Sequence, residues 1–313
     1  MEALARLTSR ASVRRFKPEP IPAEHLELIL KAAQQAPTDA SAQLYSIIRV
    51  VDRSLREKLA ELSGGQRHVL EAAEFFVLVA DLYRTERLLA HRGRRLGQIP
   101  RSGLHFALVD AAIAGAHLAI AAELLGYGIC WIGGVLNHPE EVRRLLRLPR
   151  HTLPASGLVV GVPAERPAPR PRLPRDLVVH TDRYRDYGEE ELEAAYRAMN
   201  PIARGDWLRL LARYFAAGGV MEEREPDYGL DKAKANFGDD LRDKEAEGLE
   251  SGSLGEAIAK LLGEWRGVMF SREGENIVAW LERETEAERG EGRTPGEALS
   301  RAQAGGGFTP PSR

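Results

Sequence analysis

Arg10, Ser12 and Arg14 recur at every second position within the run Ser9-Arg10-Ala11-Ser12-Val13-Arg14-Arg15-Phe16. Guanidinium forks and a hydroxyl converging on one point give charge-assisted hydrogen bonds that match the oxygens of a phosphate. The same run also reads as a solvated basic turn. A second feature is Gly133-Gly134 after Trp131-Ile132. Two residues without Cβ atoms let a flat ligand approach the backbone, or simply make a tight turn before a helix.

Other chemistries are excluded. The chain has no G-x-S-x-G nucleophile elbow, no Walker phosphate loop and no H-E-x-x-H zinc helix, and its 8 histidines are scattered. No metal site and no acid-base catalytic residue is expected. Gly126-Tyr127-Gly128 follows a helical pattern and lacks the third glycine of a dinucleotide fingerprint. What is left is a set of polar or glycine-containing loops at strand ends and arginines far apart in sequence, which suits a cofactor held by many small contacts.

The elements that must position these loops are legible as periodicities. Leu26, Ile29, Leu30 and Ala33 predict an amphipathic helix over Glu24–Ala36. The polar loop Ala36–Gln43 then leads into a strand at Ser46–Val51. After a charged helix and the turn Ser63-Gly64-Gly65-Gln66, Phe75–Ala80 reads as a strand covered on both faces. An apolar helix spans Ala111–Leu125, interrupted by His117 and Glu123 and short for a bilayer, so it is expected inside the protein. Asn137 is expected to cap the next helix, with Glu140 at the capping-box position. Gly157–Val162 is a further buried strand, and the five prolines between Pro163 and Pro174 demand an extended segment that presents Arg170 and Arg172.

Taken together, Arg10–Phe16, Ala36-Pro37-Thr38 through Gln43, Ser63–Gln66, Trp131–Gly134 and Arg170-Pro171-Arg172-Leu173-Pro174 resemble, in this order, the nitroreductase superfamily. The likeness is to its NADPH-linked branch of oxygen-insensitive nitroreductases and flavin reductases, and it covers roughly residues 4 to 219. It implies an α+β fold, a mixed sheet flanked by helices, in a homodimer with FMN at the subunit interface. By that resemblance Arg10, Ser12 and Arg14 contact the FMN phosphate and ribityl chain, and Arg170 and Arg172 form the second arm of the grip. Thr38, Ser41, Gln43 and Gln66 supply further contacts, and Trp131, Ile132, Gly133 and Gly134 form the segment on the ring. Ala11, and Asp39 with Ala40, depart from the residues usual in the family.

The resemblance also implies a ping-pong transfer from NADPH to a small-molecule acceptor such as a nitroaromatic, a quinone or free flavin. Arg197 and Arg204 are candidates for the NADPH 2′-phosphate. The alternative is a protein of the same fold that stores or senses FMN, or assembles with a partner, without efficient turnover.

Composition sets the outer limits. With 44 Lys+Arg against 46 Asp+Glu, no charge excess points to nucleic acid or an anionic membrane. Cys130 is the only cysteine, which suits a reducing cytoplasm, and no export signal is read at the start. A nitroreductase-like domain is expected over 1–219, a helical appendage over 220–283 and a disordered tail over 284–313.

Overall fold

The computed structural model describes residues 2–203, 205–228, 267–273, 276–282 and 287–292. Helix α1 (Glu2–Thr8) and an extended arm lead to α2 (Ala23–Gln34), followed by strand β1 (Tyr45–Arg49). Then come α3 (Arg53–Leu62), the single turn α4 (His68–Glu71), β2 (Glu74–Asp81), α5 (Tyr83–His91) and the long α6 (Pro100–Leu124). The core is completed by β3 (Gly128–Ile132), α7 (Pro139–Leu145) and β4 (Thr152–Gly161). Beyond an extended proline-rich segment lie α8 (Glu189–Met199), α9 (Trp207–Phe215) and α10 (Val220–Tyr228).

The sheet has the order β1-β2-β4-β3. It was expected to be mixed, but all three pairings in it are antiparallel. Strands β2 and β3 do run parallel, joined across α6, and β4 inserts between them, so no parallel pair forms. The α+β class stands.

Strand alternation sends side chains to two cores. Val77, Val79, Cys130, Ile132 and Val159 join Leu59, Val69 and Val142 from α3, α4 and α7 on one face. Phe76, Ile129, Leu158 and Val160 meet Ile29 of α2 and Leu118 of α6 on the other. Helix α6 is long and apolar enough to pass for a membrane span by length and composition. Here it packs on the sheet and on α2.

One sequence expectation needs correction, and two stretches that were not read as strands form them. Asn137 does not cap α7: the helix starts at Pro139 with His138 preceding it, and no side chain caps it. Asn137 instead donates from Nδ2 to the Leu62 carbonyl at 3.5 Å, tying the turn before α7 to the end of α3. Within the expected helical appendage and tail, the described residues form a three-stranded antiparallel sheet of β5 (Gly267–Glu273), β6 (Asn276–Glu282) and β7 (Ala287–Gly292). The β-branched and aromatic residues Val268, Phe270, Ile277, Val278 and Trp280 favour strands over helix there. The stripe from Leu254 to Trp265 lies outside the described residues. Strand β3 itself carried too short a pattern, opened by Gly126-Tyr127-Gly128, to be read as a strand.

Gly115 sets how closely α6 approaches the sheet. A Cβ there would lie 2.8 Å from Cη2 of Trp131 and still closer to Leu78 Cδ1. Gly115→Val therefore overpacks this contact and should lower the urea-unfolding free energy by about 3 kcal/mol, the upper end for added core methyls.

Candidate functional site

The arm before α2 runs along the edge of the sheet. The Val13 N–H donates to Ile129 O at 2.9 Å, and Lys17 N–H to Val162 O at 2.9 Å. Ala164 N–H returns to Arg15 O at 2.9 Å, and Phe16 bridges Pro163. The apolar residues of the arm, Val13 and Phe16, point into the core. Arg14 and Arg15 between them are exposed.

Between them the backbone is fixed by Glu165. Its Oε1 accepts from the N–H groups of Arg14 at 2.6 Å and Arg15 at 3.1 Å. This carboxylate thus ties the arm to the proline-rich segment that carries Arg170 and Arg172. Nothing in the sequence pattern marked Glu165.

Cys130 shows where the pieces meet. Burial pushes its thiol pKa up, against the charges of Arg14, Arg10 and Arg170 and a hydrogen bond with Ser12, all of which pull it down. Three of the four arginines expected to grip a phosphate, and Ser12, therefore lie near enough to this thiol for their fields to act on it. The thiol itself stays protonated and is no nucleophile. Arg172 differs: its Nη1 donates to its own segment, to Arg170 O at 3.2 Å and Pro171 O at 3.1 Å.

On the arm, at the end of α3 and in α4, three buried polar atoms have no partner. They are Arg10 Nη2, Ser63 Oγ and His68 Nε2. Arg10 spends only its Nε on Glu123, at 3.1 Å. An unpaired buried donor is costly, and an anion with several acceptor oxygens suits such a set.

The turn holding Gln66 abuts Gly134. Gln66 Nε2 donates back to Ser63 O at 2.8 Å, and a Cβ on Gly134 would sit 2.8 Å from that same nitrogen. Gly134 is glycine because the two loops touch through backbone. A Cβ on Gly133, by contrast, would meet nothing within 4 Å. That exposed backbone is a floor on which a flat ring can lie.

The expected ring segment is refined by alternation along β3. Trp131 was expected at the ring, but its side chain goes to the opposite face of the sheet, where it packs with the α2–α6 core beside Gly115. Ile132 is fully buried. Only the backbone of these two residues is available.

Thr38, Ser41 and Gln43 are elsewhere. Their loop enters β1, which pairs through Tyr45 with Ala80 at the far edge of the sheet from β3. Three strand spacings, roughly 14 Å, separate those edges. Within one chain the structure does not bring this loop to the arginines. The loop is itself constrained: Ala40, Ser41 and Gln43 have φ of 45°, 57° and 53°. Left-handed conformations at three non-glycine residues cost about 1–3 kcal/mol each and persist only where the surroundings enforce them. Of the nucleotide candidates, Arg197 is exposed on α8 and Arg204 lies outside the described residues.

Comparison with known proteins fits this geometry. The profile of the Nitroreductase family matches residues 7–162. The oxygen-insensitive NADPH nitroreductase of Salmonella typhimurium (strain LT2) is 42% identical over 190 residues, 61% of this chain and 77% of that protein. This chain belongs to the nitroreductase family.

The FMN reductase (NADPH) of Bacillus subtilis (strain 168) is 38% identical over 180 residues, 57% of this chain and 72% of that protein. Among solved structures, the NADPH:FMN oxidoreductase from Vibrio harveyi complexed with NAD+ superposes with a TM-score of 0.67 at 27% identity. That match covers 74% of this chain and 98% of the other. Among the described residues there is no cluster of three or more metal-ligating side chains.

His68 gives the site a pH signature. Burial, and then the Arg14 charge, hold its pKa below the ordinary 6.5. The unfolded chain therefore takes up this proton first on acidification. The stability it contributes is complete above pH 6.5 and is lost as the pH falls. Thermal unfolding compared at about pH 7.5 and about pH 5.5 should show a smaller drop in His68→Phe than in the wild type.

Proposed function

We propose that this nitroreductase-family chain is an FMN-dependent NADPH oxidoreductase that passes electrons to nitroaromatics, quinones or free flavin. The observation that carries the reading is that the arm bearing Arg10, Ser12 and Arg14 is tied through Glu165 to the segment bearing Arg170, with the charges of these three arginines felt at the buried Cys130 thiol. That thiol lies on the face of the sheet shared with Ile132, just before the open backbone at Gly133. When bound, FMN supplies the redox chemistry, accepting hydride from NADPH and handing electrons to the second substrate.

The residues of the chain then have binding and tuning tasks. Arg10 Nη2, already unpaired, would take a phosphate oxygen, with Arg14 and Arg170 neutralising the remaining charge and the Ser12 hydroxyl completing the cradle. Ser63 Oγ at the end of α3 and His68 Nε2 in α4 are two further buried polar atoms without a partner. The backbone at Gly133 is open to the ring, where N–H donors favour the negative charge that reduction adds. No side chain is asked to act as general acid or base.

The working unit in this reading is a homodimer. Two features support it. Thr38, Ser41 and Gln43 sit at the opposite sheet edge from the arginines, so a second copy would supply that loop to each site. Helix α6 also leaves Phe106, Val109, Ile120 and Leu124 exposed by 38–43% along one stripe, an apolar face of the kind that subunits cover. The single buried thiol suits the cytoplasm as the compartment.

Anaerobic mixing of the flavin-loaded protein with NADPH is the direct test. Rapid bleaching of the flavin is expected, and bound FMN that NADPH leaves oxidised would instead favour a binding protein. Arg14→Ala and Arg170→Ala should each weaken FMN binding by about ten- to a hundredfold, the worth of one hydrogen bond to a charged group. Titration by flavin fluorescence checks this. Ile120→Asp should shift the sedimentation profile from dimer towards monomer.

A further inference from the structure

The loop that carries Thr38, Ser41 and Gln43 is gripped by two charged side chains that belong to neither the arginine cluster nor the ring segment. Asp110 sits in the middle of the apolar helix α6 and is 1% exposed. Its Oδ1 accepts from the Asp39 N–H at 3.0 Å and its Oδ2 from the Leu44 N–H at 2.9 Å. One carboxylate thus closes both ends of the loop like a clasp.

Arg84, at the start of α5, holds the same loop from its other side. Its Nη2 donates to the carbonyls of Gln43 and of Tyr45, the latter at 2.6 Å. Its Nη1 donates to Ser46 Oγ at 3.2 Å. The guanidinium is itself steered by Asp81, which lies 3.6 Å away and accepts the Arg84 backbone N–H at 3.0 Å. Leu44 is therefore held through its N–H by an anion, and the carbonyls on either side of it by a cation.

Burying a carboxylate in an apolar helix is expensive unless its oxygens are satisfied. Here they are satisfied by the ends of a loop with three left-handed, non-glycine residues. An ordinary connection between α2 and β1 needs neither the strain nor the clasp. Strain of this kind marks a loop whose conformation is used.

We propose that Asp110 and Arg84 are positioning residues: they lock 38–43 in the conformation that presents Thr38, Ser41 and Gln43 to the cofactor across the subunit interface. The inference rests on the FMN-dependent homodimer described above. Neither residue touches the cofactor. Their contribution is that the loop is already ordered when the flavin arrives.

The test compares Asp110→Asn and Arg84→Lys with Leu118→Ala, a fully buried position on α6 remote from the loop. Full-length proteins are titrated with FMN, melted, and assayed with NADPH and a quinone at saturating FMN. Each loop variant should raise the FMN dissociation constant by about tenfold. At saturating FMN, kcat should stay within about twofold of the wild type. Leu118→Ala should lower the melting temperature by at least as much and leave FMN affinity unchanged.

Arg84 is half-buried, with its side chain 42% exposed, and Arg84→Lys keeps its charge, so this variant folds even if Asp110→Asn does not. If the wild type binds FMN and Arg84→Lys retains its affinity, the positioning role is wrong and the functional reading stands. The same holds if affinity only follows melting temperature across all three variants. If the wild type binds no FMN, the functional reading fails and the positioning role falls with it.

Discussion

The arm from Val13 to Lys17 has no helix or sheet of its own, and the candidate site depends on where it is pinned. Its backbone pairs once with β3, then with the chain just past β4, and Glu165 takes the N–H groups of Arg14 and Arg15 between these contacts. An unpaired sheet edge is a liability, and covering it is a common solution. In this chain the cover also brings residues 10–14 beside residue 170. The long separation in sequence is bridged by backbone hydrogen bonds, so the arginines keep their side chains for other work.

That arrangement concentrates cationic charge without an anionic partner for each cation. Arg10 spends one nitrogen on Glu123 and leaves another buried and unpaired. At Cys130 burial, which raises the thiol pKa, outweighs the three arginines and Ser12, which lower it. A site of this sort is electrostatically incomplete by itself, which is the condition under which an anionic group binds with the greatest effect.

The α+β class, α2, β1, β2, β4 and the core helix α6 were legible because each rests on a period of hydrophobicity. The arginine run was legible because its residue types are chemically narrow. Arg172 was not separable from Arg170, since both flank one proline and only the folded segment shows that Arg172 turns back onto its own carbonyls. The face taken by the Trp131 side chain was not legible because its position on β3 decides it, and β3 itself was not read as a strand. Asn137 fitted a capping pattern, yet the helix begins two residues later at Pro139, whose missing N–H is harmless in a first turn. Glu165 and Asp110 act on backbone N–H groups far away in sequence, and such contacts leave no local pattern. The one available hint for Asp110 was a lone acid inside an apolar helical stretch.

The paired glycines after β3 are unequal in what they allow. At Gly134 the neighbouring turn fills the space a side chain needs, so the two loops are fixed to each other as one rigid wall. At Gly133 the space is open and the backbone is not left-handed, so any side chain fits. The two glycines are therefore held for different reasons, one by the wall and the other by the ligand. A bulky group at 133 would fold without strain yet stand where the ring lies, so it would cost the cofactor and leave the wall beneath it intact.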